Sequence, residues 1–235
     1  MKVTLALFSL GVATIESQAT ITPPDFQFRV FESGVASGGE ACNFGSVNQV
    51  SATEWFFQGN HSNTTGTSMS WAYLVDPDPF ITGTFSLTNE TAFGKSYIVD
   101  FSLPISPAIA QSTVSGQMSG TLTDSNGSGS ASMTSTSGGA VYTALADDVL
   151  VQSLMSNANQ TVSSAFGTTS FSGGSFGQGA PLAGPAINST IGIRFSFTLS
   201  AGDSVSFSSI FVANPVPTPG AVSYTHLTLP TNREV

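Results

Sequence analysis

The acids whose type and spacing come closest to chemistry are Asp76 and Asp78, set two residues apart in Asp76-Pro-Asp78-Pro-Phe80 just after Trp71-Ala-Tyr73. A pair of carboxylates flanking a sugar can split a glycosidic bond, and aromatic rings stack on sugar faces. A plainer reading fits the same residues. Alternating prolines end one strand and open the next, exposed aspartates keep a sheet edge soluble, and Trp71 and Tyr73 then belong to the core or an edge. A second candidate is Asp124-Ser-Asn126-Gly-Ser128-Gly, where Asp124, Asn126 and Ser128 place three oxygen-bearing side chains at alternate positions. Hard oxygen ligands suit calcium, and this loop has the spacing of the first half of a calcium loop. It lacks the distal bidentate glutamate and a second aspartate, so the favoured use of Asp124 is to close the turn by bonding its own backbone. No other cofactor is indicated.

Nucleophilic hydrolysis fares worse, because a Ser or Thr hydroxyl needs a base beside it. Outside the C-terminal segment the one histidine is His61, in the polar stretch Gly59-Asn-His-Ser-Asn-Thr-Thr-Gly66, and no Gly-x-Ser-x-Gly elbow occurs. His61 reads as a solvated loop residue. Cys42 is the single cysteine, so an internal disulfide is excluded, and His61 with Cys42 falls short of a zinc ligand set. A lone thiol in an exported chain is more often a small buried hydrophobe than a reactive group.

The elements that must position these residues are strands. Over Thr190 to Ser200, Ile191, Ile193, Phe195, Phe197 and Leu199 share one face while Gly192, Arg194, Ser196 and Thr198 share the other, the period of a half-buried strand. Val205, Phe207 and Phe211 resume the alternation after Ala201-Gly202-Asp203, which predicts a hairpin. Phe26 to Val30, Phe80 to Thr88 and Tyr97 to Leu103 read as strands by the same test. Val114, Met118 and Leu122 share a face, the Asp124 turn reverses the chain, and Ala131 and Met133 return as a second predicted hairpin. Ala140 to Met155 reads as two strands about an Asp147-Asp148 turn, and Gly-rich Phe171 to Gly184 as a long loop. The expected fold is all-β: one antiparallel two-sheet sandwich, jelly-roll-like, with long Gly/Ser-rich loops.

Charge narrows the partners. Charged residues make up 8% of the chain, against about 25% in typical soluble domains. Within residues 20 to 222, twelve acids face three cations, Arg29, Lys95 and Arg194. Such a surface repels phosphate backbones and anionic lipids, so nucleic acid is excluded as a partner.

The two ends concern destination. Met1-Lys2, the apolar run Val3 to Ile15, and Ser17 and Ala19 three and one residues before a cut predict a signal peptide over 1–19, cleaved after Ala19. The run is shorter than the roughly 20 apolar residues that span a bilayer. The domain is expected over 20–213, followed by the start of a Pro-rich tail over 214–222. Val222 to Thr231 resembles the translation of a transposase adapter used in sequencing libraries, so 223–235 is set aside as a non-native tail.

Pro215-Val-Pro217-Thr-Pro219-Gly-Ala-Val222 resembles the beginning of the sorting tail of PEP-CTERM proteins, the substrates of bacterial exosortases. Pro217, Pro219, Gly220 and Ala221 match the Pro-Gly-Ala, planctomycete-type form of that motif. The apolar helix and basic run of the family are replaced by the adapter-like residues, as truncation would do. The resemblance implies export, processing by exosortase-type machinery, and a place at the outer cell surface or in the extracellular matrix. It implies no particular activity, and fold alone supplies none.

The leading expectation is therefore an exported, non-enzymatic sandwich with a structural or adhesive role. Its alternative is a carbohydrate-binding module that meets extracellular polysaccharide through Trp55, Trp71 and Tyr73, with or without calcium; exposed coplanar rings would favour it and burial of all three would end it. A third reading is a glycoside hydrolase using Asp76 and Asp78, which requires that the two share a cleft.

Overall fold

Alternation of apolar and hydroxyl side chains dictates strands that bury one face, and the computed structural model, described over residues 22–33, 40–41, 45–136 and 139–217, consists of strands joined by turns. In chain order these are β1 (Gln27–Glu32), β2 (Glu40–Ala41), β3 (Ser46–Gln49), β4 (Trp55–Ser62), β5 (Thr67–Asp76), β6 (Phe80–Asn89), β7 (Lys95–Pro104) and β8 (Ser112–Thr123). There follow β9 (Ala131–Ser135), β10 (Ala140–Ala146), β11 (Val149–Ser156), β12 (Asn159–Val162), β13 (Thr168–Phe176), β14 (Leu182–Gly184), β15 (Thr190–Leu199) and β16 (Ser204–Pro215). They form two antiparallel sheets that pack face to face, the two-sheet sandwich expected from the alternation.

The first sheet runs β11-β10-β15-β7-β1-β2, with β9 on β15 and β12 on β9. The second runs β13-β8-β16-β6-β5-β4-β3, with β14 on β8. Inward residues of both interdigitate in one aromatic core. Phe101 of the first sheet stacks on Phe28 at 4.7 Å between centroids and meets Tyr73 of the second at 4.2 Å. Phe207 of the second sheet lies 4.9 Å from Phe195 and 5.1 Å from Phe197 of the first. Such pairs each add about 0.5–1.5 kcal/mol beyond the area they bury.

Both predicted hairpins are corrected. β15 and β16 lie in different sheets, β15 between β10 and β7 and β16 between β8 and β6. β8 and β9 are likewise split between the second and the first sheet. The turns at 124–130 and 200–203 are therefore arches that carry the chain across the sandwich rather than back along one sheet. Buried positions alternate in the same way in either arrangement, because both sheets face one core.

The Gly-rich stretch read as a long loop is also corrected: its first part is β13 and its end is β14. Phe171 and Phe176 lie across the ladder from Gly120 and Gly116 of β8. A Cβ on Gly120 would come within 2.4 Å of the Phe171 ring, and one on Gly116 within 2.5 Å of Phe176. The glycines are thus the space the rings occupy, an aromatic cover for strand glycine. By contrast Ala140 to Met155 does form two strands, with Asp147 and Asp148 at φ 48° and 62° in the turn, as a two-residue hairpin requires.

One buried ion pair pins the sheets. Lys95 Nζ of β7 donates to Glu32 Oε2 of β1 at 2.6 Å and to the Thr65 carbonyl of the β4–β5 turn at 3.0 Å. Glu32 also accepts from Thr65 Oγ1 at 2.7 Å and Asn63 Nδ2 at 2.8 Å. Burial would raise this carboxyl, but Lys95 and the hydroxyl and amide donors outweigh it and hold it below the ordinary glutamate value. Lys95→Met, which strands the Glu32 charge, is expected to cost about 3–5 kcal/mol in denaturant unfolding, and adding Glu32→Leu should recover most of the loss.

Candidate functional site

At one end of the sandwich three arches meet, and each begins or ends on a buried polar side chain. Asn89, closing β6, Asp124, following β8, and Asp203, preceding β16, are all fully buried. A chain crossing between sheets leaves the ladders, so its N–H and C=O groups need other partners. Asn89 Nδ2 donates to the carbonyls of Phe93 and Ser200, both at 2.9 Å, and its Oδ1 accepts from Thr91 N at 3.1 Å. Asn89 N donates to the Asp203 carbonyl at 2.9 Å, which ties the β6–β7 arch to the β15–β16 arch.

Asp124 organises the third arch. Its Oδ1 accepts from Gly127 N at 2.9 Å and Ser128 N at 3.2 Å, and its Oδ2 from Gly129 N at 2.8 Å. Burial pushes this carboxyl up, yet the amides of Gly129, Ser128 and Gly127 together bring it below the ordinary aspartate value. The other two expected calcium ligands are committed as well. Asn126 Nδ2 donates to the Ala201 carbonyl at 2.8 Å and its Oδ1 accepts from Ser128 N at 2.7 Å, while Ser128 Oγ donates to the Ser130 carbonyl at 2.9 Å. The alternate spacing of oxygens thus serves an arch and its neighbour, and no group of three or more His, Cys, Asp or Glu is placed to hold a metal among the described residues.

Asp203 differs from Asp124. Its Oδ2 accepts from Ser200 Oγ, but its Oδ1 is buried with no hydrogen-bond partner. Burial raises its carboxyl, the Ser200 hydroxyl and the Ser125 amide oppose, and the charge and hydrogen bonding of Asp124 reinforce the rise. A proton on Asp203 turns an orphaned acceptor into a donor and removes a buried charge.

At the opposite end, Asp76 and Asp78 do share a cleft, of about 390 Å³, with Trp55, Thr53, Pro24 and Ile105. Asp76 Oδ2 accepts from Thr53 Oγ1 at 2.8 Å and its Oδ1 from Asp78 N at 2.9 Å, so its carboxylate shapes the β5–β6 turn. The aromatic platform is not there. Trp55 is 7% exposed, Trp71 3% and Tyr73 0%, because all three sit at inward positions of β4 and β5. Trp71 packs under Gly59, whose Cβ would come within 2.6 Å of the indole. Burial pushes the phenol of Tyr97 up to about 12 and raises those of Tyr73 and Tyr142 as well, which leaves none of them an acid or base at neutral pH. His61 is not in a loop: it stands on β4, half-buried, opposite Met69.

Pro217 is exposed and follows β16 directly, and β16 itself extends through Asn214 and Pro215, which pair with Thr113 and Ser112. Pro215, the first proline of the run that resembles a sorting tail, is therefore on the sheet. Ser17, Ala19, Cys42, Pro219, Gly220, Ala221 and the segment 223–235 lie outside the described residues. No protein-family model matches this chain, and no curated protein is similar to it in sequence.

Two features escaped the sequence reading. Burial of Asp203 depends on its neighbour arch, which no local pattern reveals. Arg29, Asp100 and Arg194 form a row across the outer face of the first sheet; strand alternation puts each outward, but only the register brings them together.

The two buried aspartates give opposite pH dependences. Stability from Asp124 is present above the unfolded carboxyl range and is lost as pH falls through its lowered native value. Stability from protonated Asp203 is complete below the unfolded range and is lost as pH rises through its raised native value. Asp203→Asn supplies a permanent donor, so above that value it should stabilise by about 1–3 kcal/mol, whereas Asp124→Asn should destabilise at every pH above the carboxyl range. Denaturant midpoints measured across pH 3–9 check both signs.

Proposed function

We propose that this protein is exported and serves as a structural and adhesive module of the outer cell surface or extracellular matrix, without a catalytic role. The observation that supports this most is how its polar side chains are spent. Asp76, Asp124 and Asp147 each hold a turn by accepting backbone N–H bonds, and the outer faces of the sheets are laced by hydroxyl pairs. Ser96 bonds Thr198 at 2.7 Å, Thr136 bonds Ser196 at 2.8 Å, and Ser86 bonds Ser206. Cross-strand hydroxyl pairs each contribute about 0.2–1 kcal/mol without adding charge. The result is a rigid wall with a dense aromatic core and few charges, suited to persistence outside the cell.

The run that resembles a sorting tail begins at Pro215, the last residue of β16, which supports a tether attached to the sandwich wall itself. A tethered sandwich of this kind works by what its faces hold. Fractionation of the source organism should recover the protein in the envelope or matrix, with a mature N-terminus at Thr20, and its deletion should reduce cell-to-cell or cell-to-surface cohesion. Retention of full-length protein inside the cell, or turnover of a substrate by the purified chain, would overturn the proposal.

A further inference from the structure

The outer face of the first sheet carries a polar trough. Arg29 of β1, Asp100 of β7, Arg194 of β15 and Thr143 of β10 stand in register across four strands. In the next row but one, Gln27, Ser102, Gly192 and Leu145 are aligned in the same way. Gly192 has no side chain to fill that row, and the depression there has a volume of about 290 Å³.

Its polar groups are held in place by one another. Arg194 donates from Nε to Asp100 Oδ1 at 2.6 Å and from Nη2 to Oδ2 at 2.8 Å, a bidentate fork. Arg29 Nη2 donates to Gln27 Oε1 at 3.1 Å, and Gln27 Nε2 to Asp25 Oδ2 at 3.1 Å. Neither arrangement exhausts its groups: a guanidinium has five N–H donors and a carboxylate about four acceptor sites. Exposed ion pairs of this kind add little to stability, so the fold does not account for their concentration here.

This trough adjoins the cleft of Asp76 and Asp78. Pro104 lines both, and Pro24 of the cleft precedes Asp25 of the trough. Together they make one path over the end of the first sheet, with proline and Ile105 surfaces at one end and planar hydrogen-bonding groups at the other. Each part has the volume of a site for about one or two small rings, and the joined path suits a linear chain of them.

Charge selects the ligand. Five aspartates, Asp25, Asp76, Asp78, Asp100 and Asp148, face two arginines along the path, so an anionic polymer is repelled. Vicinal hydroxyls match carboxylate and guanidinium forks without bringing charge, and the C–H faces of sugar rings match proline surfaces. We infer that this path, and not a platform of the buried Trp55, Trp71 and Tyr73 rings, is a binding site for a neutral polysaccharide, engaged as an extended chain. The inference rests on the adhesive reading above for where the ligand is met, and gives that adhesion a ligand class.

The test is affinity electrophoresis of the full chain through gels containing mixed-linkage β-glucan, xylan or mannan, with polygalacturonate as the anionic comparison. At least one neutral polymer should retard the protein and polygalacturonate should not. Arg29→Ala and Gln27→Ala, both at exposed positions, should weaken that retardation at least tenfold with the unfolding midpoint unchanged. Ser102→Trp, which fills the trough from its floor, should abolish it, and Ser206→Ala on the other sheet should leave it intact. No retardation by any neutral polymer, or retardation by polygalacturonate instead, overturns the inference. Retardation that survives all three trough variants also overturns it while leaving the adhesive reading standing; a protein that binds the glycan here but is retained inside the cell has the reverse meaning.

Discussion

A chain that passes repeatedly between two sheets must leave its ladders at every crossing, and this one does so with a single cysteine and 8% charged residues. No internal disulfide can form, and the one buried ion pair described above, Lys95 with Glu32, ties the sheets through the β4–β5 turn rather than through an arch. Instead the crossings at one end are closed by three buried polar side chains, Asn89, Asp124 and Asp203, whose partners are mostly backbone groups of the arches themselves. Removing Asn89 or Asp124 would leave backbone groups of the arches without partners. Packing of Phe101, Phe195 and Phe207 between the sheets requires that the arches hold the sheets in one register, so the aromatic core and the polar corner depend on each other.

The corner also explains why two carboxylates with similar sequence settings behave in opposite ways. Asp124 lies where three amides converge and is held ionised; Asp203 faces a neighbouring negative charge and has one oxygen without a donor. Environment, not residue type, assigns the charge. Away from the corner the design changes. Outer faces carry hydroxyl pairs, and charge gathers in the row of Arg29, Asp100 and Arg194, where exposed ion pairs add little to folding.

Strand positions and burial were legible from alternation: every inward residue read from Thr190 to Ser200 is fully buried. Sheet membership was not. A hairpin and an arch both reverse the chain over a few polar residues, and both leave apolar side chains facing the same core, so Ala201-Gly202-Asp203 carries no local mark that separates them. Glycine misled for a related reason. In β8, Gly116 and Gly120 mark the close approach of Phe176 and Phe171, and in β13, Gly173 marks that of Met118 Sδ, so glycine here records contacts made by a partner strand distant in the sequence rather than a loop. At the candidate sites, Asp124 was recognisable as a turn residue and Asp76 as a strand end. Trp55, Trp71 and Tyr73 were ambiguous because a ring on an alternating strand reads alike whether it faces core or solvent.

The central claim is that the arches are structural members as firm as the sheets they join. Native-state hydrogen exchange at the amides of Gly127, Ser128 and Gly129 tests this most directly. If Asp124 seals the arch, these three amides exchange only through global unfolding, with the same free energy as core amides of β15 and β16. Exchange at the rate of an open surface turn, while the β15 and β16 amides stay protected, would contradict it.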